Sequence, residues 1–236
     1  MRNLSFLLMA FFSIGIFSCS TDSEIEQPQL TVNFVTSQTP LNLQSYALKD
    51  EALKQSSSGS VVFSEGFITI RELEFEVETD NDSTSVDFNL EQEVVIDFAT
   101  GSTNPPIRYA TIPSGTFEAV EVEIELQDNT DSPAVRLHGV YIAPDATEHP
   151  LTFEFNSGET FEVEREGTVT FSEAQTALAQ VTFAPAQWFA GVSDEAMLAA
   201  TKNAEGVIVI SSTQNPEIFD TVADGLDLAT EIEIQN

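Results

Sequence analysis

The chain has 236 residues, 42% of them hydrophobic, and sets 39 acidic side chains against 8 basic ones, a formal charge of −31. Such a surface repels nucleic acid and anionic headgroups, so DNA, RNA and polybasic membrane docking are excluded as its task. With one cysteine, Cys19, there is no internal disulfide framework and no cysteine-based metal cluster.

Residues 1–18 read as a signal peptide: Arg2 supplies a charged start, and Leu4 to Phe17 form an apolar run broken only by small residues. The run is shorter than the roughly 20 residues a membrane-spanning helix needs, and it stops at Ser18-Cys19-Ser20. An apolar residue three positions before the cysteine, and a small one just before it, resemble the bacterial lipobox. That resemblance implies cleavage before Cys19 and covalent lipid on its thiol, which anchors the chain to the outer membrane. Residues 19–29 are polar and acidic, a tether of the kind that lifts a domain off a membrane. Serine after the cysteine with acids close behind resembles the export tag of surface lipoproteins of the Bacteroidota, and implies outward display.

From residue 30 to 236 the pattern is that of a single acidic all-β domain. Leu30 to Val35 opens it, followed by Val61 to Ser64 and Phe67 to Glu78. Glu72, Glu74, Glu76 and Glu78 alternate with Leu73, Phe75 and Val77, which predicts a strand with one buried face and one face of carboxylates. The inward set changes parity, from Ile68 and Ile70 to Leu73, Phe75 and Val77, so a β-bulge is expected at Arg71 and Glu72. Asp80, Asp82, Thr84 and Glu91 partly match the oxygen spacing of a calcium loop and are candidate Ca²⁺ ligands. Ser85 stands where such a loop needs glycine, and the flanks are strands, so a solvated hairpin turn is the competing reading.

Strands follow at Val94 to Phe98 and Phe117 to Leu126, where Glu121, Glu123 and Glu125 repeat the acidic alternation. Gly66-Phe67-Ile68-Thr69-Ile70-Arg71-Glu72-Leu73-Glu74-Phe75, together with Ile112-Pro113-Ser114-Gly115-Thr116-Phe117, resembles β-sandwich lipoproteins of the Bacteroidota related to domain of unknown function 4382. The resemblance covers residues 57–190 and implies a fold and a location without any catalytic residue. The turn-rich stretch 128–133 is the one place where two sub-sheets could be joined. Further strands are expected at Ala134 to Ile142, Leu151 to Phe155, Phe161 to Glu164, Val169 to Phe171, Ala177 to Phe183, Gly206 to Ser211 and Glu231 to Ile234. So many short strands predict a β-sandwich, immunoglobulin- or transthyretin-like.

Two short helices are expected near the C-terminus. Ser193 caps Asp194 to Lys202, and Asn215 with Pro216 starts a second helix that places Ile218, Phe219, Val222 and Leu226 on one face. Trp188 is a candidate sugar-stacking platform, or else a plug for the sandwich.

No constellation of residues carries catalysis. His138 and His149 have no spacing that makes them converge on a metal or haem, and no Gly-x-Ser-x-Gly elbow occurs. The chain therefore reads as a non-enzyme: a cell-surface binding or accessory lipoprotein whose ligand is a polysaccharide, a divalent cation or a surface-protein partner. The alternative is a fimbrillin-like structural subunit that assembles by strand exchange through Thr31 to Val35 or Glu231 to Ile234. If the glutamate-striped strands are neighbours, like charges meet across the ladder, and stability should rise with salt or calcium.

Overall fold

The computed structural model describes residues 27–44, 58–78, 88–128, 130–156, 160–226 and 230–235, giving backbone alone for 161–166, 230 and 231. Cys19, Asp80, Asp82 and Thr84 lie outside the described residues. The chain is all-β, and among the described residues it has two short helices and strands that form two sheets.

In chain order the strands are β1 (Gln29–Thr36), β2 (Leu41–Asn42), β3 (Ser60–Glu78), β4 (Phe88–Asp97), β5 (Thr103–Asn104), β6 (Ala110–Thr111), β7 (Gly115–Leu126) and β8 (Val135–Ile142). They continue as β9 (Glu148–Phe155), β10 (Thr160–Phe171), β11 (Thr176–Phe183), β12 (Ile208–Ile210) and β13 (Thr230–Gln235). The four-stranded sheet runs β13-β11-β1-β6, with β1 parallel to β11. The nine-stranded sheet runs β10-β7-β3-β8-β9-β12, with β2 and β4 on the other edge of β3 and β5 beyond β4.

β3 organises the larger sheet. Its 19 residues pair with β8 through Ser60–Ile68 and with β7 through Ile70–Glu78. β7 and β8 are thus two halves of one path antiparallel to β3, and β9 and β10 repeat the arrangement one strand further out. The stretch 128–133 lies between β7 and β8. Both of those strands pair with β3 in the same sheet.

Two register shifts bend β3. The one between Ile70 and Glu72 is the bulge that the parity change predicts. The other, between Phe63 and Glu65, precedes Gly66, whose φ of 134° suits glycine and whose added Cβ would meet the Arg136 carbonyl oxygen at 2.1 Å. The two expected strands Val61–Ser64 and Phe67–Glu78 are therefore one. Each bulge resets the alternation, so Val61 and Phe63, then Ile68 and Ile70, then Leu73, Phe75 and Val77 are all buried. Likewise Phe161–Glu164 and Val169–Phe171 merge into β10 across a shift between Glu166 and Val169.

The buried residues of both sheets and both helices form one hydrophobic cluster. At one end of it the chain leaves β11 and builds a helical layer: a 3-10 turn, Pro185–Phe189, then α1 (Asp194–Ala199) and, after β12, α2 (Pro216–Ala223). Phe153 of β9 anchors this layer, with its ring 6.0 Å from Trp188, 5.8 Å from Phe189 and 6.4 Å from Phe219.

A buried carboxylate fastens the helical layer to the sheets. Asp194, 7% exposed at the start of α1, accepts the Gly59 N–H on both oxygens at 3.0 Å and the Tyr141 hydroxyl at 3.1 Å. Its own N–H donates to the Gln44 carbonyl. Burial, and then the adjacent Asp194 charge, push the Tyr141 phenol well above its ordinary pKa, so it stays a donor. A Cβ on residue 59 would sit 2.3 Å from the Asp194 carboxylate, so only glycine fits. Removing that carboxylate orphans two buried donors. Asp194→Ala should lower the unfolding free energy by about 2–4 kcal/mol, and Tyr141→Phe by about 1 kcal/mol, in urea denaturation followed by circular dichroism.

Candidate functional site

Three places in the fold gather polar or open surface: the glutamate face of the large sheet, the histidine strands, and a cleft in the helical layer.

On the large sheet the expected repulsion is realised, because β3 and β7 are antiparallel neighbours in a register that opposes like residues. Glu72 faces Glu125, Glu74 faces Glu123, and Glu76 faces Glu121. The backbone register continues the rows, with Glu162 of β10 opposite Glu123, Glu164 opposite Glu121, and Glu91 of β4 opposite Glu72. Facing Cβ atoms in such a ladder are about 5 Å apart. Arg71, set at the bulge, pairs with Glu125 and, at 3.2 Å, with Asp128. Asn89 on β4 donates to Glu72 and to Glu74 at 2.7 Å each.

These contacts split the two glutamates. The Asn89 amide holds Glu72 below the ordinary carboxylate value. Partial desolvation, and then the charges of Glu72 and Glu123, hold Glu74 above it. Glu74 therefore binds its proton more tightly folded than unfolded, and its contribution to stability appears as pH falls and is lost as pH rises past its raised value. Glu72 has the opposite sign: its contribution is present above the ordinary value and lost as pH falls through the lowered one.

Of the candidate calcium ligands, Glu91 sits within β4, beside a shallow depression of about 330 Å³ lined also by Arg71, Glu72, Gln92 and Glu93. Among the described residues no group of three His, Cys, Asp or Glu is arranged to hold a metal ion.

The two histidines do not converge. His138 pairs in register with Thr152 and His149 with Tyr141, and the odd spacing of 138 and 141 along β8 puts the imidazoles on opposite faces of the sheet. His138 Nδ1 bonds the Thr152 hydroxyl at 3.0 Å, while His149 stacks on Tyr141 and meets Lys202 Nζ at 2.9 Å. Trp188 is 1% exposed within the core, so its ring offers no open face for a sugar.

The cleft, of about 560 Å³, lies between α1 and α2. Gly191, Val192, Ser193 and Ala196 form one wall, Ala199, Ala200 and Thr201 the exit from α1, and Asn215 to Ile218 with Thr221 the other wall. Its hydroxyls and amide are committed to the fold. Ser193 caps α1, as its sequence position predicts, by accepting the Ala196 N–H at 3.2 Å. Thr221 donates to the Glu217 carbonyl at 3.0 Å.

Asn215 behaves differently from a helix cap. Its backbone adopts φ 55°, which carries the side chain away from the amides of α2, and the side chain instead accepts from the Thr201 N–H and hydroxyl and donates to the Thr201 and Val209 carbonyls. This clamp fixes the spacing of the two helices. α1 ends at Ala199 and not at Lys202, because Asn203 Oδ1 accepts the Glu205 and Val207 N–H groups and turns the chain back, pairing Lys202 with Ile208. The sequence signal for the cleft is the pair of helix starts at Ser193 and Asn215-Pro216; nothing in it says that the walls stand apart.

Comparisons of the chain with protein-family models, with curated proteins and with solved structures give no match.

The glutamate rows make a direct electrostatic prediction. In dilute salt at pH 7, Glu74→Gln should raise the unfolding free energy by a few tenths of a kcal/mol, and the gain should vanish near 1 M NaCl, where the Debye length is about 3 Å. The melting temperature of the unsubstituted protein should itself climb with NaCl and with CaCl₂ in differential scanning calorimetry.

Proposed function

We propose that this is a lipid-anchored binding domain of the outer membrane, displayed outward on the tether that follows Cys19, which holds a ligand without transforming it. The supporting observation is the cleft between α1 and α2. At about 560 Å³ it falls in the range of small-ligand sites. Its hydroxyls are spent on caps and clamps, and Glu217 is the one ionisable side chain among the described residues that line it, which hold no acid–base pair and no activated nucleophile.

The path of the chain suits this role. The Gln29 N–H bonds the Gln175 carbonyl and the Ile112 N–H bonds the Pro28 carbonyl, so the tether meets the sandwich at the turns before β7 and β11. β1 then runs eight residues, about 26 Å, to the end where β11 gives way to the helical layer. A chain held at its N-terminus thus carries the cleft at the far end of that sheet.

A second reading, a structural subunit that exchanges strands, draws on β13. This six-residue strand stands at the edge of the smaller sheet, pairing with Leu178–Phe183 of β11, whereas β1 lies inside the sheet between β11 and β6. Of the two terminal segments, β13 is the one free to be donated.

Two measurements test these readings. Labelled palmitate should enter the protein in cells, and Cys19→Ala should abolish the label and release the domain in soluble form. For exchange, the chain truncated after Leu226 should capture a peptide of residues 227–236 and shift on size-exclusion chromatography. A truncated chain that stays monomeric and ignores the peptide removes the second reading.

A further inference from the structure

The cleft also indicates the charge of what it takes. Glu217 stands exposed in the first turn of α2, and among the described residues its carboxylate has no hydrogen-bond or ion-pair partner. The nearest cation in sequence, Lys202, is turned away: its Nζ is spent on His149, on β9. A carboxylate at the positive end of a helix fills the position an anion would use, so the cleft rejects anions. Its lining sets Ala196, Ala199, Ala200, Ile218 and Thr221 beside Ser193, Thr201 and Asn215, and holds no aromatic ring to stack on a sugar. A net charge of −31 adds a long-range pull on cations to this local preference.

Resting on the reading of the cleft as a ligand site, we infer that its ligand is an alkylammonium: a saturated chain that lies against the alanine wall and ends in an amine paired with Glu217. An unbranched chain suits the small side chains of the three alanines. The ammonium pairs with a carboxylate that no other described residue claims.

The test uses the lipid-free mature chain, residues 20–236, with methyl-labelled alanine and threonine followed by nuclear magnetic resonance. Three probes share one carbon skeleton: 1,5-diaminopentane, 1,5-pentanediol and glutarate. The diamine should shift the methyls of Ala196, Ala199, Ala200 and Thr221 saturably, the diol at least ten-fold more weakly, and glutarate not at all. Glu217→Gln should weaken the diamine at least ten-fold, while Glu76→Gln on the distant sheet leaves it unchanged.

If the diol binds as well as the diamine, or Glu217→Gln has no effect, the alkylammonium class is wrong while the cleft stands as a ligand site. If the diamine shifts are spread evenly over the acidic surface, the attraction is unspecific and the class is wrong. If none of the three probes, nor a mixed library of neutral fragments, moves the cleft methyls, both the class and the reading beneath it fall.

Discussion

Backbone pairing along β3 is the constraint on which the rest of the molecule depends. A strand of this length holds β7 and β8 end to end on one side and β2 and β4 on the other, so the larger sheet has one spine. Left flat, such a spine would carry its apolar residues out of the core as soon as their parity changed. The two bulges solve this by adding a residue at each change, and they concentrate twist where β7 hands over to β8. The glycines on either side of that pairing have the same cause: Gly66 of β3 and Gly139 of β8 both lie where another strand's backbone comes too close for a side chain.

The register that buries Leu73, Phe75 and Val77 against Val120, Val122 and Ile124 is the one that brings the glutamates face to face. Slipping by one residue would relieve the repulsion and place every carboxylate in the core, so the apolar face wins by a wide margin: a large apolar side chain contributes about 1.5–3 kcal/mol on burial, against tenths for a like-charge pair. The charge pattern is therefore carried at a tolerable cost, and it is softened where geometry permits, by Arg71 at the bulge and Asn89 between two rows.

Most of this was legible in the sequence because strand alternation is a local signal. The parity change near Arg71 located a bulge to the residue, and Ser193 located the start of α1. Reading failed where a glycine had two meanings. Gly66 and Gly167, which fall in the gaps between expected strands, are bulge positions inside continuous strands, a distinction that depends on the neighbouring strand and not on the residues themselves. Asn215 failed for a related reason: a residue type that favours caps was used in a left-handed conformation, where its side chain serves the chain fourteen residues earlier. The cleft was the least legible feature, since an open space between two helices is set by that clamp and by Phe153 and Phe155 under α2.

The cleft walls all come from residues 191–221, one uninterrupted stretch that gives the larger sheet the short strand β12. This stretch is tied to the scaffold by the Asp194 carboxylate, by the bridge from Ser193 to Gln44, by the short β12 pairing with β9, and by Val192, Met197 and Ile218 in the core with Phe219 on Phe153. Cleft and framework are thus separable parts of the chain. Substitutions or small insertions between Gly191 and Thr221 can reshape the cleft while the spine, its bulges and its charge rows stay as they are, provided those fastenings are kept.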